Sequence, residues 1–444
     1  MKYLISFLHL NFLLLAYNCN CFSQQPQSAL AAYINNQDSS YTWQIKQITK
    51  IPDGSFYEIN LVSQTWQNII WKHQMILFIP EKVKNSNTLI LVLRHIYNRN
   101  SDFASIKIIS DSTNTASAML YGIPNQPLFD GREEDDLQAY TFSQYIKSGD
   151  ESWPLLFPMV KSVVRAMDAV QDITKKECKV VVNKFIITGH SKRGHTAWLT
   201  AAADARVKGI IPIAIDVLNS TAQLPHHHEV FGEYSTPSKA ATDLLQELKL
   251  PRGNDLIQMV DAYSYKEQLT LPKLIVSATN DPFFTTDALN LYWDGLKGPK
   301  WIFYLPNANH ISAYSDSRVN STAFAFVRAI ATDKMLPQFY WEFRKKSTSV
   351  FLKIVTDNSA TKAHIWTSNS LSKDFRQSTW TSRPMHQNNL DLSTGKGNAQ
   401  TSKVFNIEIQ NPSKGFITAF GEIEFVQDSS TFSLSTQTNL IPSE

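Results

Sequence analysis

The stretch that most limits what this chain can become runs from Lys184 to Arg206. It reads Lys-Phe-Ile-Ile-Thr-Gly-His-Ser-Lys-Arg-Gly-His-Thr-Ala-Trp as far as Trp198 and then turns Ala-rich. Phe185 to Thr188 predicts a short buried strand, and Thr196 to Arg206 predicts a helix. Gly189 and Gly194 bracket a tight turn with Ser191 inside it. Strand, sharp turn with a central serine, then helix is the layout that presents a nucleophilic hydroxyl clear of a sheet. Small neighbours let strand and helix approach closely, and the helix N-terminus favours developing negative charge. The usual pattern is G-x-S-x-G. Here Arg193 takes the fifth position, which gives G-x-S-x-x-G.

The rest of the chain predicts where that turn sits. Tyr41 to Pro80 alternates apolar and polar residues around Pro52-Asp53-Gly54, as two or three antiparallel strands would. Thr88–Leu93, Gly209–Ile215, Lys273–Ala278 and Trp301–Leu305 are continuous apolar runs, as expected of strands buried on both faces. Leu137–Ile146, Pro154–Ile173 and Ser321–Ala331 show helical spacing. Strands alternating with helices predict an α/β fold, a mostly parallel sheet with helices on both faces. Past Pro337 the texture changes to short alternating strands between Tyr340 and Ser435, which predict a small all-β sandwich. The expected organisation is a leader over residues 1–23, an α/β domain over 24–336 and a β-sandwich over 337–444.

The leader expectation comes from Lys2, the apolar run Tyr3–Tyr17 and the small residues before Gln24. The run is too short to span a bilayer, so the expectation is a secreted chain with no stable membrane anchor. Cleavage after Ser23 leaves Cys178 as the sole cysteine and no internal disulfide. A hydrophobic fraction of 43 % supplies core to fold without one, and a net charge of +3 is too small to suggest a nucleic-acid partner.

A serine hydrolase also needs a base and an acid to orient it. Asp281 follows the strand Lys273–Ala278, and His310 follows Trp301–Leu305. In the order Ser, Asp, His, both lie just beyond strand C-terminal ends, where open α/β sheets build sites. Asp216, at the end of the strand after the elbow helix, is the alternative acid and is otherwise a surface turn residue. For the oxyanion, one donor is the backbone N–H of Lys192. The second is expected from the loop Arg94-His95-Ile96-Tyr97-Asn98, which has no glycine, so the Tyr97 hydroxyl is the candidate; the Lys192 ammonium is another. His226-His227-His228 lacks zinc-ligand spacing and reads as a polar loop. Glu133-Glu134-Asp135-Asp136 precedes a helical segment, where acids suit the dipole; a substrate-amine site is the sharper reading. No cofactor or metal is implied. Asn219 and Asn320 open glycosylation sequons.

Several segments together resemble one family. Ser63-Gln-Thr-Trp66 with Trp71-Lys-His73, Pro124-Asn-Gln-Pro127, Trp153-Pro-Leu, Pro158 to Met167 and Ser191-Lys-Arg-Gly-His-Thr-Ala-Trp-Leu-Thr200 are similar to the PhoPQ-activated pathogenicity-related proteins. So are Asp204-Ala-Arg-Val207, Ile215-Asp-Val-Leu-Asn219, Asp281-Pro-Phe-Phe284, Asp294-Gly-Leu-Lys-Gly298, Ala363–Trp366 and Lys373-Asp-Phe-Arg376. That family includes secreted bacterial proteins and a proliferation repressor of a social amoeba. The resemblance implies an α/β-hydrolase-like domain with Ser191, Asp281 and His310 at the triad positions, and it supplies no substrate. Two functions follow as expectations. One is a secreted hydrolase of ester or peptide bonds. The other is a secreted signalling or virulence factor that binds a cell-surface receptor on the same fold.

Overall fold

The computed structural model describes residues 28–82, 85–177, 181–232, 239–390 and 402–443. The expected leader over 1–23 and Cys178 lie outside the described residues. A short helix α1 (Ala29–Asn35) precedes three antiparallel strands, β1 (Thr42–Ile51), β2 (Gly54–Trp66) and β3 (Ile69–Pro80). Then follow β4 (Asn85–Leu93), α2 (Arg99–Thr113), β5 (Thr115–Leu120), α3 (Glu134–Ser148) and α4 (Leu156–Glu177). The elbow joins β6 (Lys184–His190) to α5 (Lys192–Ala203), and β7 (Val207–Ile213) comes next. Helices α6 (Ser220–Phe231), α7 (Lys239–Glu247) and α8 (Pro251–Val260) precede β8 (Lys273–Ala278), β9 (Lys300–Leu305) and α9 (Ser317–Ala331).

Among the described residues these strands hydrogen-bond in the order β1-β2-β3-β5-β4-β6-β7-β8-β9, parallel from β5 onward. This is an α/β-hydrolase sheet with one added edge strand. Strand alternation explains the two-sided burial. Leu89, Leu91 and Leu93 of β4 enter one core with Val163 and Met167 of α4 and Trp198 of α5. Ile90 and Val92 enter the other with Ile106 of α2 and Phe326 of α9. Strands β6 to β9 divide in the same way, with Ile187 on one side and Ile186 on the other. The apolar runs of the sequence are therefore central strands covered on both faces.

Beyond Pro337 the chain forms β10 (Phe339–Lys345), β11 (Ser349–Thr356), β12 (Ala360–Ser370), β13 (Thr381–Pro384), β14 (His386–Leu390), β15 (Ser402–Gln410), β16 (Phe416–Gln427), β17 (Ser430–Ser435) and β18 (Asn439–Pro442). One layer is β10-β11-β15-β14; the other is β17-β16-β12-β13, with β18 on β16. Leu352, Ile354 and Ile407 from the first layer share a core with Ile365, Ile423 and Leu434 from the second. The layers press closely: a Cβ on Gly421 would lie 2.6 Å from Ile354 Cδ1. Strand β17 also pairs antiparallel with β9 through Ser435 and Ile302, so the sandwich continues the central sheet.

One local expectation is corrected, and two elements were missed. His226–His228 lie in α6, not in a loop, although Pro225 sits in the same helix. Strand β5 and helix α2 were not foreseen, and they place the segment after Leu93 between β4 and the sheet's far half. Among the described residues, no helix is long and apolar enough to cross a membrane.

Candidate active site

Ser191 links β6 to α5 with φ 56° and ψ −129°, a left-handed conformation that is costly for a residue with a Cβ. The side chain is partly exposed, while Lys192 to Thr200 behind it are buried. Two glycines make the turn possible. A Cβ on Gly189 would lie 2.6 Å from the Arg193 carbonyl carbon, and one on Gly194 would lie 2.7 Å from Ile215 and 2.8 Å from the Gly189 oxygen. Gly194 thus provides the close helix-to-strand approach, although it stands one place later than in the usual pattern.

His310 Nδ1 lies 2.7 Å from Asp281 Oδ2, and both side chains are buried, at 10 % and 3 % exposed. Asp281 also accepts the backbone N–H of Phe283 at 2.8 Å. The imidazole is boxed by rings: His190 at 4.5 Å and Phe283 at 4.8 Å between centroids. His190 Nε2 sits 2.7 Å from the His310 carbonyl oxygen, to which it donates. Burial first, then the neighbouring His310, lowers the His190 pKa to about 4, so this ring is neutral at physiological pH. Among the described residues no hydrogen bond joins Ser191 to His310; such contacts commonly tighten only when substrate binds.

The loops carrying Asp281 and His310 are tied to the sandwich. Asn280 Nδ2 donates to the Ser378 carbonyl at 2.7 Å and to the Arg376 carbonyl at 3.1 Å. Asn307 exchanges two bonds with the Trp380 backbone, at 2.9 and 2.8 Å. Arg376 in turn lies over Phe231 of α6, 3.9 Å from the ring centroid.

Asp216 does not touch His310. It is 5 % exposed, accepts Ser277 Oγ at 2.6 Å and is also bonded by the Tyr292 hydroxyl. Burial, only partly offset by those bonds, pushes its pKa up to about 6. The reading of Asp216 as a surface turn residue is therefore corrected: it is a buried carboxyl between two hydroxyls. Tyr97 is corrected too. Its hydroxyl donates to Glu58 Oε2 at 3.0 Å, and burial together with that bond raises its pKa to about 12. The Lys192 ammonium is likewise occupied, 2.5 Å from Glu134 and 2.8 Å from Asp135.

Glu134 is the residue that the acidic run concealed. It pairs with the Lys192 ammonium and with both terminal nitrogens of Arg193, whose Nε reaches the Ile123 carbonyl at 2.6 Å. Burial alone would raise its pKa; the Arg193 bonds and the Lys192 charge hold it well below the usual carboxylate range. Gln126 braces it from both ends, accepting the Glu134 backbone N–H at 2.8 Å and donating to its carboxylate at 2.8 Å. The acids Glu134 and Asp135 are thus counter-ions of the elbow, and Asp136 pairs with Arg132 at 2.8 Å. A substrate amine would have to displace these cations. Neither Gln126 nor Glu134 carries a local signature that announces the contact.

Two backbone features suit a developing oxyanion. The N–H of Lys192 opens helix α5 and has no intrahelical acceptor. After β4, Arg94 N–H bonds to the Leu120 carbonyl at 2.8 Å, whereas the N–H groups of His95 and Ile96 have no acceptor among the described residues. A cleft of about 260 Å³ opens here, lined by Arg94, His95, Ile96, His190, Arg193 and Tyr314. Among the described residues, no group of three or more His, Cys, Asp or Glu is placed to hold a metal ion. The sequon residue Asn219 donates its side-chain amide to the Leu291 carbonyl at 2.7 Å. Asn320 is exposed on α9.

The sequence of this chain matches the PhoPQ-activated pathogenicity-related proteins over residues 30–376. It belongs to that family. A relative within reach is autocrine proliferation repressor protein A of Dictyostelium discoideum, 28 % identical over 443 residues that span 92 % of this chain and 90 % of that one. Among solved structures, acetyl xylan esterase 1 of a Thermoanaerobacterium species is similar at 9 % identity and TM-score 0.47, covering 68 % of this chain and 92 % of its own. A glucuronoyl esterase of Solibacter usitatus is similar at 14 % identity and TM-score 0.43, covering 68 % and 91 %. The hydrolase architecture of this family member rests on its own strand order and crossovers.

Proposed function

We propose that this family member is a secreted serine hydrolase of ester or peptide bonds, with Ser191 as nucleophile, His310 as base and Asp281 as the acid that orients it. The observation that supports this most is the buried Asp281–His310 pair at 2.7 Å, on loops beside an elbow that holds Ser191 at φ 56°. Ser191 Oγ attacks the carbonyl carbon while His310 Nε2 takes its proton. The N–H groups of Lys192 and of His95 or Ile96 receive the oxyanion. Collapse expels the alcohol or amine, which takes the proton back from His310. Water then attacks the acyl-serine by the same route, releasing the acid and restoring Ser191. Asp281 favours the tautomer with the proton on Nδ1 and stabilises the imidazolium that forms.

The test is active-site labelling of the mature protein with a fluorophosphonate. The expected adduct maps to Ser191 by mass spectrometry and is absent in Ser191→Ala. Asp281→Asn should remain folded and lose turnover on the order of 10⁴-fold, following the protease precedent. A folded protein that takes no label would sink the reading. A second reading would then stand: an extracellular signal acting through a cell-surface receptor. It is favoured by the name of the Dictyostelium relative, and hydrolase folds do host non-enzymes.

A further inference from the structure

The cleft beside the elbow has an unusual lining. Its side chains include two guanidinium groups, two imidazoles and a phenol, and no carboxylate. Arg193 and Arg94 differ sharply within it. Arg193 is spent: Nε goes to the Ile123 carbonyl and both terminal nitrogens go to Glu134. Arg94 is not. Its side chain is 26 % exposed, and its one polar contact among the described residues is Nη2 to Asp102 Oδ1 at a long 3.4 Å. Its guanidinium carbon lies over the Tyr314 ring, 4.8 Å from the centroid, a contact that uses no N–H. A guanidinium carries five N–H donors in a rigid fork. The Nε and Nη1 groups of Arg94 therefore have no acceptor among the described residues, in a side chain that is about three-quarters withdrawn from water.

Asp102 does not cancel this. It is buried behind Arg94, and its other oxygen accepts the Asn98 backbone N–H at 2.8 Å. The nearby acids Glu134 and Asp135 are engaged by Arg193 and Lys192. His95 is held neutral-leaning by burial and by the Arg193 charge, and Gln126 contacts its ring at 3.2 Å. The open donor fork in the cleft that His190 and Arg193 of the elbow line is thus Arg94, and its natural complement is the two-oxygen edge of a carboxylate.

We propose that the substrate of this site carries a carboxylate, which Arg94 binds in the cleft while Ser191 attacks an ester or amide carbonyl elsewhere in the same molecule. Ile96, 70 % exposed at the rim, gives an apolar contact for the segment between the two groups. The proposal rests on the serine-hydrolase reading for its turnover, but not for its binding.

The test uses a matched pair, 4-nitrophenyl hexanoate and the 4-nitrophenyl monoester of adipic acid, which differ in a terminal carboxylate. Wild-type kcat/KM should favour the adipate ester at least tenfold, and the preference should shrink as salt is raised. Arg94→Gln should lower the adipate-to-hexanoate ratio at least tenfold, and Arg94→Lys should restore part of it. If both esters lose rate equally, Arg94 is an oxyanion donor and the carboxylate assignment is wrong. A binding arm separates this from failure of catalysis. Adipate should bind folded Ser191→Ala by calorimetry, and Arg94→Gln introduced in that background should abolish the binding. No heat of binding in Ser191→Ala overturns the proposal even if hexanoate is turned over. Binding without any turnover keeps the anion site and removes the hydrolase reading. Circular dichroism melts of each variant identify any that fail to fold; the wild-type ratio and the Ser191→Ala titration decide the question without them.

Discussion

Replacing Glu134 by Gln is the most informative single perturbation of this site. The Lys192 and Arg193 side chains are 6 % and 9 % exposed, so their charges are nearly out of water. Breaking one partner of a buried ion pair costs roughly 3–5 kcal/mol because the other charge is left uncompensated. Two features reduce that figure here. Glu134 is itself 36 % exposed, so solvent screens part of its charge, and Asp135 still reaches Lys192 at 2.8 Å. The remainder falls mostly on Arg193, which keeps only the Ile123 carbonyl. We expect a loss of about 2–3 kcal/mol for Gln, whose amide is neutral and puts an NH2 where one of the two accepting oxygens stood. Guanidinium chloride unfolding followed by tryptophan fluorescence measures it, with exposed Glu133→Gln as the control expected within about 0.5 kcal/mol. Fluorophosphonate labelling of Ser191 should also slow by roughly tenfold. That is less than the 10²–10³ of deleting an oxyanion donor, because the Lys192 N–H is displaced and not removed. If Glu134→Gln unfolds like wild type and labels at the same rate, the clamp is a solvated surface contact and the reasoning fails.

Asp216→Asn should flatten the pH dependence of stability. Burial holds the Asp216 pKa at about 6 against an ordinary 3.8, so its contribution is fullest below about pH 4 and is lost as pH rises through about 6, on the order of 2–3 kcal/mol; melting temperatures of both proteins from pH 4 to 7 should diverge in that window, and parallel curves would contradict it. Gly194→Ala should cost about 1–3 kcal/mol, because the new Cβ meets the Gly189 carbonyl oxygen at 2.8 Å and backbone cannot step aside. Labelling of Ser191 should fall with it, and a fully stable, fully labelled Gly194→Ala would show that the turn has room to spare.

What was legible in the sequence was what burial writes into it locally. Strands covered on both faces must be apolar at every position, and Leu89 to Leu93 or Leu274 to Val276 show this directly. Strand β5 escaped because Thr-Ala-Ser-Ala-Met-Leu is buried yet small, and smallness leaves no hydrophobic period. Helix α6 escaped because Pro225 and three histidines resemble a turn, although His226 is held by Asp287 at 2.8 Å and His227 by the Phe283 carbonyl at 3.2 Å. That Asp281 and His310 each lie just past a buried strand could be read from the sequence, and the two side chains pair at 2.7 Å. Asp216 was misplaced. It also follows a strand, and only the approach of Ser277 and Tyr292 shows that it faces inward. The clamp on the elbow was not legible at all, because Glu134 and Lys192 meet across 58 residues of chain.

The departure from the usual elbow motif has a physical account. In G-x-S-x-G, the second glycine lets the helix lie against the strand. Here Gly194 performs that approach from one position later, at 2.7 Å from Ile215 for a Cβ it does not have. The position before it is released from the packing requirement and carries Arg193, whose guanidinium reaches Glu134 and the Ile123 carbonyl. The turn that strains Ser191 is thereby tied to the start of α3. The loops carrying Asp281 and His310 are tied in the opposite direction, through Asn280 and Asn307, to the Phe375–Trp380 segment of the sandwich. A left-handed serine persists only where its surroundings over-determine it. In this chain Gly189, Gly194 and the Arg193–Glu134 clamp hold the Ser191 turn, and bonds to the sandwich hold the Asp281 and His310 loops. It follows that the sandwich is part of the site's support, not an appendage joined at Pro337.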